Sequence, residues 1–148
     1  MQMVNAKEAP EEALAIRLEM LREVGELPED HVFDEAFIRR MADYLEVGEQ
    51  TTLLTMDGDR AVGCATICYM TWLPSLGHPS GRRAHLMNVY TAPGYRRQGI
   101  ARQLVTALMD EAKRRGVTEI SLDATEAGRP LYESLGFRVN DEGMTIVF

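Results

Sequence analysis

Apolar side chains along this chain switch between two periods, and the switches mark out its elements. Leu14, Leu18 and Leu21 form a stripe at helical spacing that continues to about Val24. It starts at Pro10-Glu11-Glu12, with proline in the first turn and acids near the positive helix end, and stops at Gly25 and Pro28. Asp34 is placed to cap a second helix with the stripe Phe37, Met41 and Leu45. Gln50 to Met56 and Ala61 to Tyr69 read as strands joined by an Asp57-Gly58-Asp59 turn. Ala84 to Thr91 is dense in Leu, Met, Val and Tyr and reads as a buried strand, broken by Pro93-Gly94. From Arg97 to Arg115 the pattern turns helical again through Ile100, Leu104, Leu108 and Ala112, with Ala101 and Val105 beside them, as far as the stop at Gly116. Glu119 to Leu122 predicts a short strand and Arg129 to Leu135 a short helix. Phe137 to Val139 and Met144 to Phe148, separated by Asn140-Asp141-Glu142-Gly143, predict a terminal hairpin.

Helices followed by a hairpin and then a strand–helix–strand–helix–strand unit imply an α/β (α+β) fold. Its sheet is mixed, mostly antiparallel and twisted, with helices on both faces. At 148 residues the chain fits one domain spanning 1–148. No apolar stretch of about 20 residues and no basic-then-apolar leader is present, which points to a cytoplasmic protein away from membranes. The two cysteines, Cys64 and Cys68, fall on one face of a strand. They sit too far apart for easy disulfide geometry and are too few for a metal site, so buried thiols are expected and no metal. The formal charge of −7 argues against a nucleic-acid partner. Taken globally, it makes a cationic or neutral amine the more natural guest.

The densest chemistry lies in Tyr95-Arg96-Arg97-Gln98-Gly99-Ile100-Ala101, between the buried strand and the long helix. A helix starting there leaves its first backbone N–H groups, around Gln98 to Ala101, without internal partners, and the macrodipole makes that end positive. Phosphate oxygens suit such a site. Gly99 lets an anion approach the backbone, Ala101 keeps the first turn slim, and Arg96 and Arg97 add mobile positive charge.

Arg96-x-x-Gly99-x-Ala101 after an apolar strand, followed by Leu131-Tyr132-Glu133-Ser134-Leu135-Gly136-Phe137, resembles the GNAT superfamily of acyl-CoA-dependent N-acetyltransferases. The resemblance is strong from about Ala84 to Phe137 and weaker over Asp34 to Tyr69. It implies that the first motif, Arg96 to Ala101 with Ile100 inside it, binds the coenzyme A pyrophosphate, and that Tyr132 lies beside the coenzyme sulfur. It also implies a bulge on the preceding strand, where the main chain of Val89, Tyr90 and Thr91 pairs with the pantetheine arm. That arm carries two amides that need partners once out of water. Thr125 stands where family members often have Asn near the coenzyme; it is equally placed to cap the helix leading to Tyr132. Family members usually open with a strand, for which only Met1 to Ala6 remains. That strand is therefore expected to be short, absent, or supplied by another chain, as in a homodimer.

The resemblance implies acetyl transfer from acetyl-CoA, as co-substrate, to an amine of a small molecule or peptide. Attack on the thioester gives a tetrahedral intermediate whose collapse expels a thiolate. Tyr132, a phenol protonated at neutral pH, is the expected acid toward sulfur, and the Val89 N–H is the candidate donor to the intermediate's oxygen. The base is open among His85, Asp123 and Glu126; Asn88 cannot act as a base but can orient water or substrate. In the long connection Thr71 to Arg83, Trp72, Leu73 and Leu76 are candidates to wall an acceptor pocket. The alternative function is a non-catalytic acyl-CoA-binding sensor or regulatory module.

Overall fold

A computed structural model describes residues 1–148. Its sheet has five strands in the order β1-β2-β3-β4-β5: β1 (Gln2–Asn5), β2 (Gln50–Asp57), β3 (Arg60–Thr71), β4 (Arg82–Thr91) and β5 (Glu119–Leu122). The first four pair antiparallel and β5 joins β4 in parallel. The helices are α1 (Pro10–Val24), α2 (Glu35–Val47), α3 (Ile100–Arg114) and α4 (Arg129–Ser134). The opening strand is thus present, short, and supplied by the same chain, which pairs Gln2 with Met56 and Asn5 with Leu53.

Local chemistry accounts for the boundaries. Asp34 Oδ2 accepts from the Phe37 N–H at 3.2 Å and starts α2. The β2–β3 turn closes between Asp57 and Arg60 over two residues, with Gly58 left-handed at φ 60°. At the end of α3, Gly116 turns left-handed and Val117 N–H bonds back to Ala112 O at 3.0 Å, which satisfies an orphan carbonyl.

Strand alternation assigns the two faces of the sheet. Gly63, Ala65 and Ile67 face α3, which buries Ile100, Leu104, Val105, Leu108 and Ala112 against them. A Cβ at Gly63 would stand 2.5 Å from Ile100 Cγ2, so the first turn of α3 is seated directly on β3. Cys64, Thr66 and Cys68 point to the opposite face, toward α1 and α2. Here α1 buries Ala13 and Ile16, with Met20 packed beside them. Leu14, Leu18 and Leu21, the expected stripe, are only half-buried. Both cysteines are free. No helix is long and apolar enough to cross a membrane.

The expected terminal hairpin does not form. Residues 137–148 contain no strand, and Met144, Ile146, Val147 and Phe148 are exposed. Asn140 Oδ1 accepts from Glu142 N–H in a local turn, but the limb before it, Phe137 to Val139, is only three residues long. So short a two-stranded ribbon lacks the face needed to hold itself together.

Candidate active site

The site begins where β4 leaves its neighbours. Pairing with β5 stops at Leu86–Leu122, so from residue 87 to residue 91 the β5-side edge of β4 has no strand beside it. On the β3 side the register slips between Cys64 and Thr66, which places Asn88 and Val89 in a bulge opposite Ala65. Asn88 carries the strain, with φ at 57°. Its buried side chain secures this conformation by donating Nδ2–H to Thr66 Oγ1 at 3.1 Å and accepting from Arg17 Nη1 at 3.1 Å. The Cys64 thiol donates to the Asn88 carbonyl at 3.2 Å, and burial pushes that thiol up to about 12. Val89, Tyr90 and Thr91 therefore lie where β4 has no strand on its β5 side, although Tyr90 and Thr91 still pair with Cys64 and Gly63 of β3.

Beyond β4 the loop turns into α3 through left-handed residues at Gly94, Arg97 and Gly99, with φ of 89°, 64° and 80°. Turns of this kind form anion-binding concavities from successive N–H groups. The backbone N–H groups of residues 98–102 find no acceptor within the protein. A Cβ built on Gly99 meets nothing within 4 Å, so the space in front of the helix start is open. Ile100 contributes only its backbone, since its side chain is core. Ala101 is half-buried, and the Gln98 amide reaches back to Gly94 O at 3.5 Å. Arg97 is exposed and unpaired.

Arg96, by contrast, is fixed rather than mobile. Its Nε donates to Thr91 O at 2.8 Å, Nη2 donates to both Glu23 oxygens at 2.9 and 2.8 Å, and the guanidinium lies over Tyr90 at 5.6 Å. The Glu23 carboxylate raises the Arg96 pKa in turn, chiefly through that hydrogen bond. Tyr90 turns its phenol toward α1, and burial, then Glu23 and Glu19, keep it protonated above its ordinary range.

Tyr132, on α4, packs edge-on against Phe137 with ring centroids 5.9 Å apart. It is half-buried, burial raises its pKa, and no protein group bonds its hydroxyl. The tyrosine borders an open cleft of about 600 Å³ shared with Ser121, Asp123 and Arg129. Thr125 Oγ1 accepts from Gly128 N–H at 3.1 Å and Thr125 O from Arg129 N–H at 3.0 Å, so Thr125 shapes the turn that leads into α4. His85 Nδ1 lies 2.7 Å from Ser121 Oγ and its Nε2 lies 3.8 Å from Asp123 Oδ2, which unites two of the three candidate bases. Glu126 is exposed in the turn before α4.

Trp72 does not meet this constellation. It follows the far end of β3, where Thr71 pairs with Arg82, roughly 20 Å along the strand from Asn88. There the Arg83 guanidinium stacks on the indole at 4.6 Å, and Leu73 and Leu76 are exposed. The connection closes on itself at this end of the sheet, with Trp72 N–H donating to Gly81 O at 2.8 Å, and it leaves the wall beside Asn88 to α2.

That wall encloses a pocket of about 220 Å³ lined by Arg17, Arg40, Phe37, Met41, Tyr44 and, at its floor, Asn88. Sequence reasoning missed Arg17. The signal was available: Ala13, Ile16 and Met20 are the inner face of α1, and Arg17 falls within that spacing.

The chain belongs to the GNAT acetyltransferase family, whose model matches residues 17–137. It is 30% identical over 87 residues to a glucosamine 6-phosphate N-acetyltransferase of Trypanosoma brucei brucei, covering 59% of this chain and 57% of that protein. It is 44% identical over 57 residues to the ribosomal protein bS18-alanine N-acetyltransferase of Escherichia coli K12, covering 36% of this chain and 38% of that one. The chain thus spans well under two thirds of these curated relatives. In structure it is similar to a predicted acetyltransferase of Clostridium acetobutylicum solved with acetyl-CoA, at TM-score 0.84 and 25% identity, over 99% of this chain and 95% of the other.

Proposed function

We propose that this protein is an N-acetyltransferase that moves acetyl from acetyl-CoA to the primary amine of a small molecule or peptide, by direct attack in a ternary complex. The observation that carries the reading is the row of unpartnered N–H groups at residues 98–102, standing in open space beside the unpaired edge of β4. The coenzyme pyrophosphate satisfies the first, and the pantetheine amides extend along Val89 to Thr91 like an added strand. Both curated relatives named above acetylate amines, one of an amino sugar phosphate and one of a protein alanine.

In this arrangement the thioester reaches the bulge. The amine nitrogen bonds to the acetyl carbon, and the carbonyl oxygen takes the negative charge beside the Val89 N–H. Collapse breaks the carbon–sulfur bond, and the Tyr132 phenol gives its proton to the departing thiolate. The ammonium formed by attack loses its proton to water or to the His85–Asp123 pair.

Calorimetric titration with acetyl-CoA tests the coenzyme site. Micromolar binding by the parent protein that Gly99→Glu abolishes is the expected result, because the new side chain occupies the open space with like charge in a left-handed backbone. Equal binding by both proteins removes the pyrophosphate from this helix start.

A further inference from the structure

The pocket beside Asn88 differs in charge from the rest of the protein. Arg17 and Arg40 are the only ionisable side chains of either sign among its lining residues apart from Tyr44 and Cys68, and no carboxylate lines it. This is unusual in a chain with 23 acidic residues and 16 basic ones. Elsewhere Arg60, Arg83, Arg96, Arg114 and Arg115 each hold a carboxylate within 3.3 Å.

Arg17 has no such partner. Its guanidinium is half-buried and bonds only Asn88 Oδ1 at 3.1 Å and the Met20 sulfur at 3.8 Å, both through Nη1. Burial lowers its pKa, and no carboxylate offsets that cost. A guanidinium has five N–H donors in a rigid fork, so most of Arg17's point at no protein acceptor. Arg40, one turn before Tyr44 on α2, lines the same pocket, is exposed, and makes no ion pair. Half-burying a cation without a counter-charge is unfavourable unless something else supplies the charge.

We infer that this pocket is the acceptor subsite, and that the acceptor is a small primary amine carrying its own oxyanion, a carboxylate or a phosphate, held between Arg17 and Arg40. The inference rests on the acetyltransfer reading and narrows it. Asn88 forms the pocket floor and is adjacent to Val89, so a guest anchored here presents its amine at the bulge. Planar guanidinium forks suit both kinds of oxyanion. The volume suits an amino acid or an amino sugar phosphate, and Phe37, Met41 and Tyr44 contact the guest's carbon skeleton. The net charge of −7, taken globally, favours a cationic or neutral guest, but a guest meets the local field, which is positive here.

The test measures kcat/KM with acetyl-CoA for two matched pairs, alanine against alaninamide and glucosamine 6-phosphate against glucosamine, in the parent and in Arg40→Gln. Arg40 is exposed, so its replacement leaves the core intact. The expected result is that the anionic member of at least one pair is preferred by about tenfold or more, and that the ratio falls toward one in Arg40→Gln. The carboxylate pair and the phosphate pair separate the two chemistries. The amide's amine is the less basic of its pair, so any bias from free-amine concentration opposes the expected result. Transfer without anion preference, or a preference unchanged in Arg40→Gln, overturns the inference and leaves acetyl transfer standing. Transfer to none of the four amines counts against the acetyltransfer reading. In that case calorimetric titration with inorganic phosphate and with acetate reads the oxyanion site alone: binding of either by the parent that Arg40→Gln weakens supports an oxyanion site between Arg17 and Arg40, and binding of neither overturns it.

Discussion

Arg17 on α1 reaches across the layer boundary to Asn88 on β4, with Nη1 3.1 Å from Oδ1, and so the strained residue of the bulge is held by the helix packed over it. Thr66 Oγ1 accepts from the same amide on its other side, at 3.1 Å. Asparagine tolerates the left-handed region better than most residues, yet its two side-chain bonds are what make the position rigid.

Two substitutions at Asn88 separate backbone from side chain. Asn88→Ala loses the buried bonds and places a Cβ residue at φ 57°, for an expected loss of about 2–3 kcal/mol. Asn88→Gly loses the bonds but accepts the backbone, and about 1 kcal/mol less is lost. Urea denaturation of both variants checks the ordering. Equal losses would mean that the left-handed backbone at residue 88 carries no cost of its own.

Cys64 gives the fold a signature at alkaline pH. Its thiol rises from an ordinary 9.0 to about 12 through burial, despite the Arg17 charge nearby. Above pH 9 the unfolded chain releases this proton while the folded chain keeps it, so stability is full below pH 9 and declines as pH rises toward 12. Cys64→Ala removes this group's share. The stability gap between parent and variant is therefore expected to narrow between pH 8 and pH 11 in denaturant titrations. A gap that stays constant would show that the thiol does not titrate differently on folding.

Tyr132 is the acid in the proposed reaction, and burial alone keeps its phenol protonated beyond the ordinary pKa of about 10. Tyr132→Phe is expected to lower kcat by about a hundredfold or more while the acetyl-CoA dissociation constant changes little. The alkaline limb of the parent's pH–rate profile should lie above pH 10 or so and be absent in the variant. Unchanged turnover would remove Tyr132 from the proton transfer.

The parts of this molecule that were legible in its sequence are those in which one local pattern decides the outcome. The α3 face was readable because Ile100, Leu104, Val105, Leu108 and Ala112 meet one face of the sheet at regular spacing. The Asp34 cap and the Gly116 stop follow from single residues with specific backbone chemistry. On α1 the leucines drew attention to the wrong face. The surface against β3 and β4 takes Ala13 and Ile16, where a close approach of helix to sheet favours small and branched side chains. The bulge was not visible from β4 itself, since Asn88 looks like any polar residue in an alternating strand. Its conformation depends on Thr66 and Arg17, which are 22 and 71 residues away. The unformed hairpin at the C-terminus shows the converse: Met144, Ile146, Val147 and Phe148 have strand composition, but no partner strand meets them.

Arg96 is the residue whose role changes most between sequence and structure, and the change can be tested. Its guanidinium joins Glu23 on α1 to the Thr91 carbonyl at the end of β4, and so braces the loop that leads to Gly99. If bracing is its contribution, breaking the brace from either end must weaken coenzyme binding. Arg96→Ala and Glu23→Gln are both expected to raise the acetyl-CoA dissociation constant severalfold by calorimetry. Thermal stability should change by less than about 1 kcal/mol, because the ion pair is exposed. A direct phosphate ligand would behave differently, since Glu23→Gln would free the guanidinium from its competing carboxylate and tighten binding. Opposite signs for the two variants would therefore assign Arg96 to the pyrophosphate, and matching signs assign it to the loop.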